Sequence, residues 1–461
     1  MTLRTVFKQH ARTQAVLANQ QGWRSFLLFA LLGCSVLAGV AGLSSKAQAA
    51  DAIPGEQWCD RLVSRVLFSG NRVTRDHVIR RELVQSAGSA CSLDEVIDGI
   101  QNILDLGLFK SVRAELAINA QALELTYIVV EKIYFLPIPR FSRTSDGELR
   151  YGAQLRWDNF LGQLHQLKLT SEKRQEDDGR GRTGYVSRLE YTVPRFFGSR
   201  YGMQLNAGSE RRNAELSQDN VVYGEARRES RNLEWRLARW ANQSTGVQGL
   251  SYFAGFGLEQ RQYELQSGTA GPYTDGENVF VMAGFDIRNV HQDTYRRRGT
   301  QKSVVARLAQ AVLGADFSYA RVDTQMRWYI PLQKPQANLN IQWRLGLSSS
   351  APFGERSYSI GGGDVLRGMR TGGVTGDLLT LLNVEYLSGF FSYPEWRWLV
   401  FSDIGNVYRD NRVDLTDQHV RLGAGLRWKL TAISNTDVRL DVAWDPRRQK
   451  LTPYVSTSLT F

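Results

Sequence analysis

Arg367, Glu385 and Asp403 are one cation and two carboxylates that the chain could bring into a single ion-paired cluster. Arg367 stands in Gly361-Gly362-Gly363-Asp364-Val365-Leu366-Arg367-Gly368-Met369. The connection that holds it runs to about thirty residues, where a hairpin usually needs roughly two to five. Glu385 lies in Asn383-Val384-Glu385-Tyr386, and Asp403 in Phe401-Ser402-Asp403-Ile404-Gly405-Asn406-Val407. Each carboxylate sits inside a strand pattern. Leu382, Val384 and Tyr386 form the apolar set of the first strand, and Trp396, Trp398 and Val400 that of the second. Alternation therefore puts both carboxylates on the opposite, polar face. Two such groups on neighbouring strands need a cation, and the planar fork of Arg367 suits bidentate carboxylate pairing. The bland alternative is three separately solvated charges. Either way the role is conformational. No nucleophile–base set or metal-ligand spacing stands out, and the five histidines are dispersed. No enzymatic activity, catalytic residue, metal or cofactor is expected.

The segments around these charges read as strands. Leu339, Ile341, Trp343 and Leu345 alternate with Asn338, Asn340, Gln342 and Arg344. Val438, Leu440, Val442 and Trp444 alternate with Arg439, Asp441 and Ala443. A soluble sandwich would also alternate. Three features favour a transmembrane barrel instead. The strands run to about ten residues, as a tilted spanning strand requires. Short connections alternate with long polar ones, read at 171–184, 211–228, 264–277 and 349–376. Aromatics gather at strand ends, as at Phe196, Phe197 and Tyr201, or Tyr393, Trp396 and Trp398. The fold class is thus mainly β: an antiparallel barrel of about sixteen strands over 133–461, near 133–141, 148–157, 163–172, 185–194, 201–210, 229–240, 249–263, 278–288, 300–311, 316–331, 338–348, 377–387, 396–407, 419–430, 436–445 and 453–461. An even count leaves both barrel ends on the same, periplasmic side.

The chain ends and composition agree with export. Residues 1–49 carry Arg4, Lys8, Arg12, Arg24 and Lys46 around an apolar run, and close on Ala47-Gln48-Ala49. These features read as a secretory signal peptide cleaved after Ala49; the alternative is an N-terminal membrane anchor, and the A-x-A ending favours cleavage. The mean hydropathy of −0.33 would suit a soluble protein, but barrels conceal their spans because every second residue faces water. The net charge of +11 falls to about +6 without the signal. The basic residues are scattered, so no nucleic-acid partner is expected. Cys59 and Cys91 remain in the mature chain, and export permits a bridge between them without fixing its geometry.

Residues 58–132 read as a small α+β domain. Val63 to Phe68 is a strand and Ser69-Gly70-Asn71 a turn. Thr74 can cap a helix through Val78, Ile79 and Leu83. Ser92, with Glu95 three residues on, caps a second helix. Lys110 to Ile118 and Leu123 to Lys132 are strands.

Taken in order, the glycine-rich loop, the two carboxylate strands, Asn159-Phe160-Leu161-Gly162 and Phe285-Asp286-Ile287-Arg288-Asn289 resemble the BamA/TamA family of outer-membrane assembly barrels, the bacterial surface antigens. Residues 58–132 resemble a single POTRA domain, where the best-known members carry several. The resemblance implies that the loop folds into the lumen and that Arg367 pairs with Glu385 and Asp403. Gly361, Gly362, Gly363, Leu366, Gly368 and Met369 complete the loop motif, although an aromatic is commoner at the position of Met369. The implied function is assembly: helping polypeptides insert or translocate at the outer membrane. The alternative is a pore of the two-partner-secretion kind. Implied partners are outer-membrane lipid, unfolded polypeptide clients and accessory assembly proteins. The implied place is the outer membrane of a Gram-negative-type cell or an organelle-like equivalent, with the POTRA domain in the periplasm.

The seam of such a barrel is also legible. The first candidate strand holds Pro137 and Pro139, and the last ends at Phe461. Each proline removes a ladder donor, and their spacing puts both losses on one strand edge. If that edge faces the last strand, the seam is short of hydrogen bonds and can open sideways to take a substrate strand. Alternatively, 133–141 is a linker and the first strand begins near Leu149.

Overall fold

A computed structural model describes residues 61–119, 122–143, 149–175, 183–196, 199–218, 221–241, 247–292, 295–334, 336–362, 365–369, 372, 374–390, 393–409, 413–414, 416–432 and 437–457. The signal segment, Cys59, Gly363 and Phe461 lie outside them, while Cys91 is buried.

The N-terminal domain runs β1 (Val63–Ser69), α1 (Asp76–Arg80), α2 (Leu93–Asp105), β2 (Phe109–Asn119) and β3 (Ala122–Glu131). Its sheet has the order β1-β3-β2, with β1 parallel and β2 antiparallel to β3. Alternate residues of β3, namely Leu123, Leu125, Tyr127 and Val129, are buried. Val96, Ile100 and Ile103 of α2 are buried with them, at the spacing of one helix face. Ser92 caps α2 by accepting from the Glu95 N–H. The Thr74 cap does not form. Arg75 occupies the N-cap of α1 without a side-chain bond, and the helix stops at Arg80 rather than reaching Leu83. The Thr74 hydroxyl is used elsewhere: it meets the Tyr134 hydroxyl at 3.2 Å and accepts from Asn159 Nδ2 at 2.9 Å.

The barrel follows. Its first strands are β4 (Phe135–Arg143), β5 (Leu149–Phe160), β6 (His165–Gln175), β7 (Thr183–Val193), β8 (Tyr201–Gln218) and β9 (Val221–Trp240). Next come β10 (Gly249–Gly268), β11 (Gly276–Gln292), β12 (Arg297–Ala309), β13 (Tyr319–Pro331) and β14 (Asn338–Ser348). A small hairpin, β15 (Tyr358–Ile360) and β16 (Val374–Gly376), interrupts the series. The barrel resumes with β17 (Leu378–Phe390), β18 (Tyr393–Tyr408), β19 (His419–Lys429), β20 (Asp437–Asp445) and β21 (Lys450–Thr457). Sixteen strands, β4–β14 and β17–β21, form one antiparallel sheet in sequence order.

Two segments differ from the sequence reading. Residues 211–218, 221–228, 264–268 and 276–277 are not loops. The β8–β9 ladder continues to Gln218 opposite Val221, and β10 pairs with β9 as far as Gly268. A ladder needs only backbone partners, so a strand can run on after its apolar alternation lapses. Cross-strand ion pairs replace it there, such as Arg211 with Glu229 and Arg227 with Glu264.

The segment 135–143 is a strand and not a linker: Pro137 pairs with Leu155, and Pro139 with Ala153. β4 and β21 are the two ends of the sheet, and among the described residues no ladder joins them. β21 carries a further proline, Pro453, opposite Val442.

The two parts of the chain touch at the barrel rim that carries the β5–β6 turn. Arg75 N–H donates to Gly162 O at 3.0 Å, beside the Thr74–Asn159 bond. Asp105, at the end of α2, accepts from Gln292 N–H at 2.7 Å, His291 Nδ1 at 2.8 Å and Gln248 Nε2 at 3.3 Å. Asp105 is buried there.

Candidate functional site

Residues in register on adjacent strands point to the same face, so the ladders define the lumen. Gln342, Asn383, Asp403 and Arg421 form one row across β14, β17, β18 and β19. Ile341, Val384 and Ser402 form the neighbouring row, on the lipid side. Glu385 shares the lumen face with Asn383. Both carboxylates therefore face the interior, and each is fully buried at 0 % exposure.

The loop brings the arginine to them. Tyr358 to Ile360 pairs with Gly376 to Val374, so the motif forms the tip of the β15–β16 hairpin. Gly361, Gly362 and Gly368 have φ of +119°, +93° and +84°, the left-handed region that favours glycine. Gly362 N–H donates to Met369 O at 2.9 Å and closes the tip. Leu366 is buried in a cluster with Tyr358, Ile360, Leu379, Leu381 and Val407, with Met369 packed against it. Methionine fills this irregular apolar gap without needing an aromatic ring.

Arg367 is 2 % exposed and makes the expected fork. Its Nε donates to Asp403 Oδ2 and its Nη2 to Asp403 Oδ1, each at 2.7 Å. Its Nη1 donates to Glu385 Oε1 at 2.6 Å. The guanidinium also lies 3.4 Å over the centre of the Phe401 ring. The structure thus brings the three sequence-selected charges into one contact.

Several partners were not singled out by sequence. Asp441 lies 3.4 Å from Arg367 Nη1 and accepts from Arg427 Nη1 at 2.5 Å and Arg439 Nη2 at 3.2 Å. Three arginines and three carboxylates are therefore gathered in one buried network. Asn383 Nδ2 donates to both Asp403 Oδ1 and Val365 O, and the Tyr454 hydroxyl on β21 accepts from Gly368 N–H at 2.8 Å. Alternation alone would have placed Asp441, Arg427 and Tyr454 on the lumen face. Their convergence on Arg367 depends on where the loop tip lands.

The loop has a second anchor on another part of the wall. Glu355 accepts from Arg228 Nη2 at 2.9 Å, Arg261 Nη1 at 2.5 Å and the Tyr263 hydroxyl at 2.5 Å. Phe353 is fully buried beside it, with its ring 4.9 Å from that of Phe317 and 4.7 Å under the Arg261 guanidinium. The loop therefore runs from β9 and β10 to β17–β20.

Comparison with known proteins fits this geometry. Residues 159–450 match the Omp85 superfamily domain, and residues 62–132 match the POTRA surface antigen variable number repeat. The chain belongs to the Omp85 superfamily. The crystal structure of BamA from Haemophilus ducreyi lacking POTRA domains 1–3 is similar at 18 % identity, covering 86 % of this chain and 83 % of that one, with a TM-score of 0.50. CdiB from Acinetobacter baumannii aligns at 14 % identity over 86 % of this chain and 74 % of that one, with a TM-score of 0.58. CdiB from Escherichia coli gives 12 %, 86 %, 76 % and 0.58 for the same quantities. These three likenesses are of fold. Omp85 barrels sit in the outer membrane with POTRA domains in the periplasm, and they insert or translocate polypeptides there.

Proposed function

We propose that this Omp85 chain is an insertion factor of a Gram-negative-type outer membrane. It takes unfolded polypeptides from the periplasm and builds them into the bilayer at the seam between β4 and β21. The observation that carries this reading is the pair of sheet ends. Pro137 and Pro139 share a face with the apolar Leu155 and Ala153, and Pro453 shares one with Val442. All three prolines therefore lie toward lipid on terminal strands, where each withholds a ladder donor. An edge with gaps can exchange its partner for a client strand by main-chain hydrogen bonding. The pinned loop contributes from inside, since Gly368 is bonded to Tyr454 of β21 and braces that edge. Accessory assembly proteins would deliver clients to the POTRA domain.

The experiment is folding of a urea-denatured outer-membrane barrel in the presence of liposomes that contain the full chain. Faster conversion to the heat-modifiable folded form than with empty liposomes is expected. Client that appears soluble inside the liposomes, with none folded in the bilayer, would point to the secretion alternative. An unchanged rate with no translocation would reject both.

A further inference from the structure

The lumen has two electrostatically different walls. Around Arg367 on β17–β20, and at the outer end of β12–β13, arginines are neutralised by carboxylates. Arg307 and Arg321, for example, share Asp323 at 2.9 and 3.0 Å. The periplasmic half of β11–β14 is different. Arg288, Gln301, Arg327 and Gln342 form one lumen row, and Asp286, Ser303, Gln325 and Arg344 form the next. These rows hold three arginines against one aspartate. None of the three arginines has a carboxylate within 4.0 Å among the described residues. Arg327 instead donates from Nε to Gln342 Oε1 at 2.9 Å. All three side chains are half-buried, so they remain reachable from the lumen. Like charges held along one wall raise its energy until an anion arrives, and low-dielectric walls strengthen that attraction.

A carboxylate already sits at the entrance to this wall. Asp105 of the POTRA domain binds His291 and Gln292, three and four residues beyond Arg288 in β11.

We propose that the periplasmic wall of β11–β14 is a binding site for acidic segments of an extended polypeptide, with Arg288, Arg327 and Arg344 as its cationic contacts. The proposal rests on the insertion reading and adds a client chemistry to it. The geometry suits a peptide. Arg288 and Arg327 stand two strands apart, about 9.5 Å, and same-face carboxylates two residues apart on an extended chain are separated by about 6.7 Å, a difference that the long arginine and glutamate side chains can span. The strands shield the lumen from bilayer lipid, so the occupant enters from the periplasm. Asp105 marks the route by which its carboxylates would arrive.

The test uses the full chain in detergent and a short oligoglutamate peptide carrying an uncharged dye, with an oligolysine peptide as comparison. Binding is read by anisotropy. Oligoglutamate should bind and oligolysine should not, and the affinity should fall as salt screens the charges. The triple variant Arg288→Gln, Arg327→Gln, Arg344→Gln should bind at least about tenfold more weakly, while the triple lysine variant, which keeps the charge, should bind within about threefold of the parent. An oligoglutamate with a central photo-crosslinker should label β11–β14 in the unaltered protein. Labelling confined to other strands, equal binding of the two peptides, or an unchanged affinity in the glutamine triple overturns the proposal. The binding assay involves no client folding. Lost insertion with intact oligoglutamate binding would therefore fault the insertion reading alone, and the converse would fault this inference alone.

Discussion

Replacing Arg367 by alanine is expected to release the loop tip and abolish most of the activity, while the barrel still forms. The substitution strands Glu385 and Asp403, both fully buried, without their shared cation. Removing one member of a buried ion pair costs about 3–5 kcal/mol, because the remaining charge keeps its desolvation penalty. Arg427 approaches Glu385 to only 3.6 Å and is already engaged by Asp441, so it cannot replace the missing fork. Lysine should rescue poorly, since a point charge cannot serve both Asp403 oxygens and Glu385 at once. Limited proteolysis of the 349–376 loop, alongside heat-modifiability of the barrel, reads the two effects separately. A loop as resistant as in the parent would show that the pin does not hold it.

Valine at Gly162 should undock the POTRA domain from the β5–β6 turn. Gly162 has φ of +71°, where a β-branched residue is a strong outlier. An added Cβ would also lie 2.1 Å from the Val73 carbonyl oxygen, which is backbone and cannot step aside alone. The left-handed conformation by itself costs roughly 1–2 kcal/mol, and the clash adds to it. The bond from Arg75 N–H to Gly162 O and the Thr74–Asn159 contact should open together. Amide exchange at Arg75 should rise well above that of α2, whose own packing is untouched. Unchanged protection at Arg75 would mean that the turn does not hold the domain.

Sequence showed what alternation and punctuation encode, and missed what depends on meeting across the fold. Glu385 and Asp403 could be assigned to the lumen because Val384, Tyr386 and Val400 claim the lipid side by period alone. Arg367 was conspicuous because glycines surround it. Asp441 and Arg427 have the same parity as many lumen charges, so nothing local separates them from solvated neighbours. Only the landing point of the loop does. The strand extensions at 211–218 and 221–228 are invisible for another reason: the apolar alternation ends there, although the backbone ladder continues. Thr74 shows a conflict between levels. Local pattern makes it a helix cap, but Asn159 and Tyr134 compete for the same hydroxyl and prevail. Glu355 looks in sequence like any polar residue in a polar loop, and its partners Arg228 and Arg261 come from strands about a hundred residues earlier.

The most direct test of insertion at the seam is to lock it. Cysteines at Ile138 of β4 and Ser456 of β21, positions laddered to Gln154 and Arg439, would join the two terminal strands when oxidised. With the full chain in liposomes, the locked form should fold a denatured barrel client no faster than empty liposomes do, and reductant should restore the parent rate. A fully oxidised barrel that inserts its client at the parent rate would contradict the account.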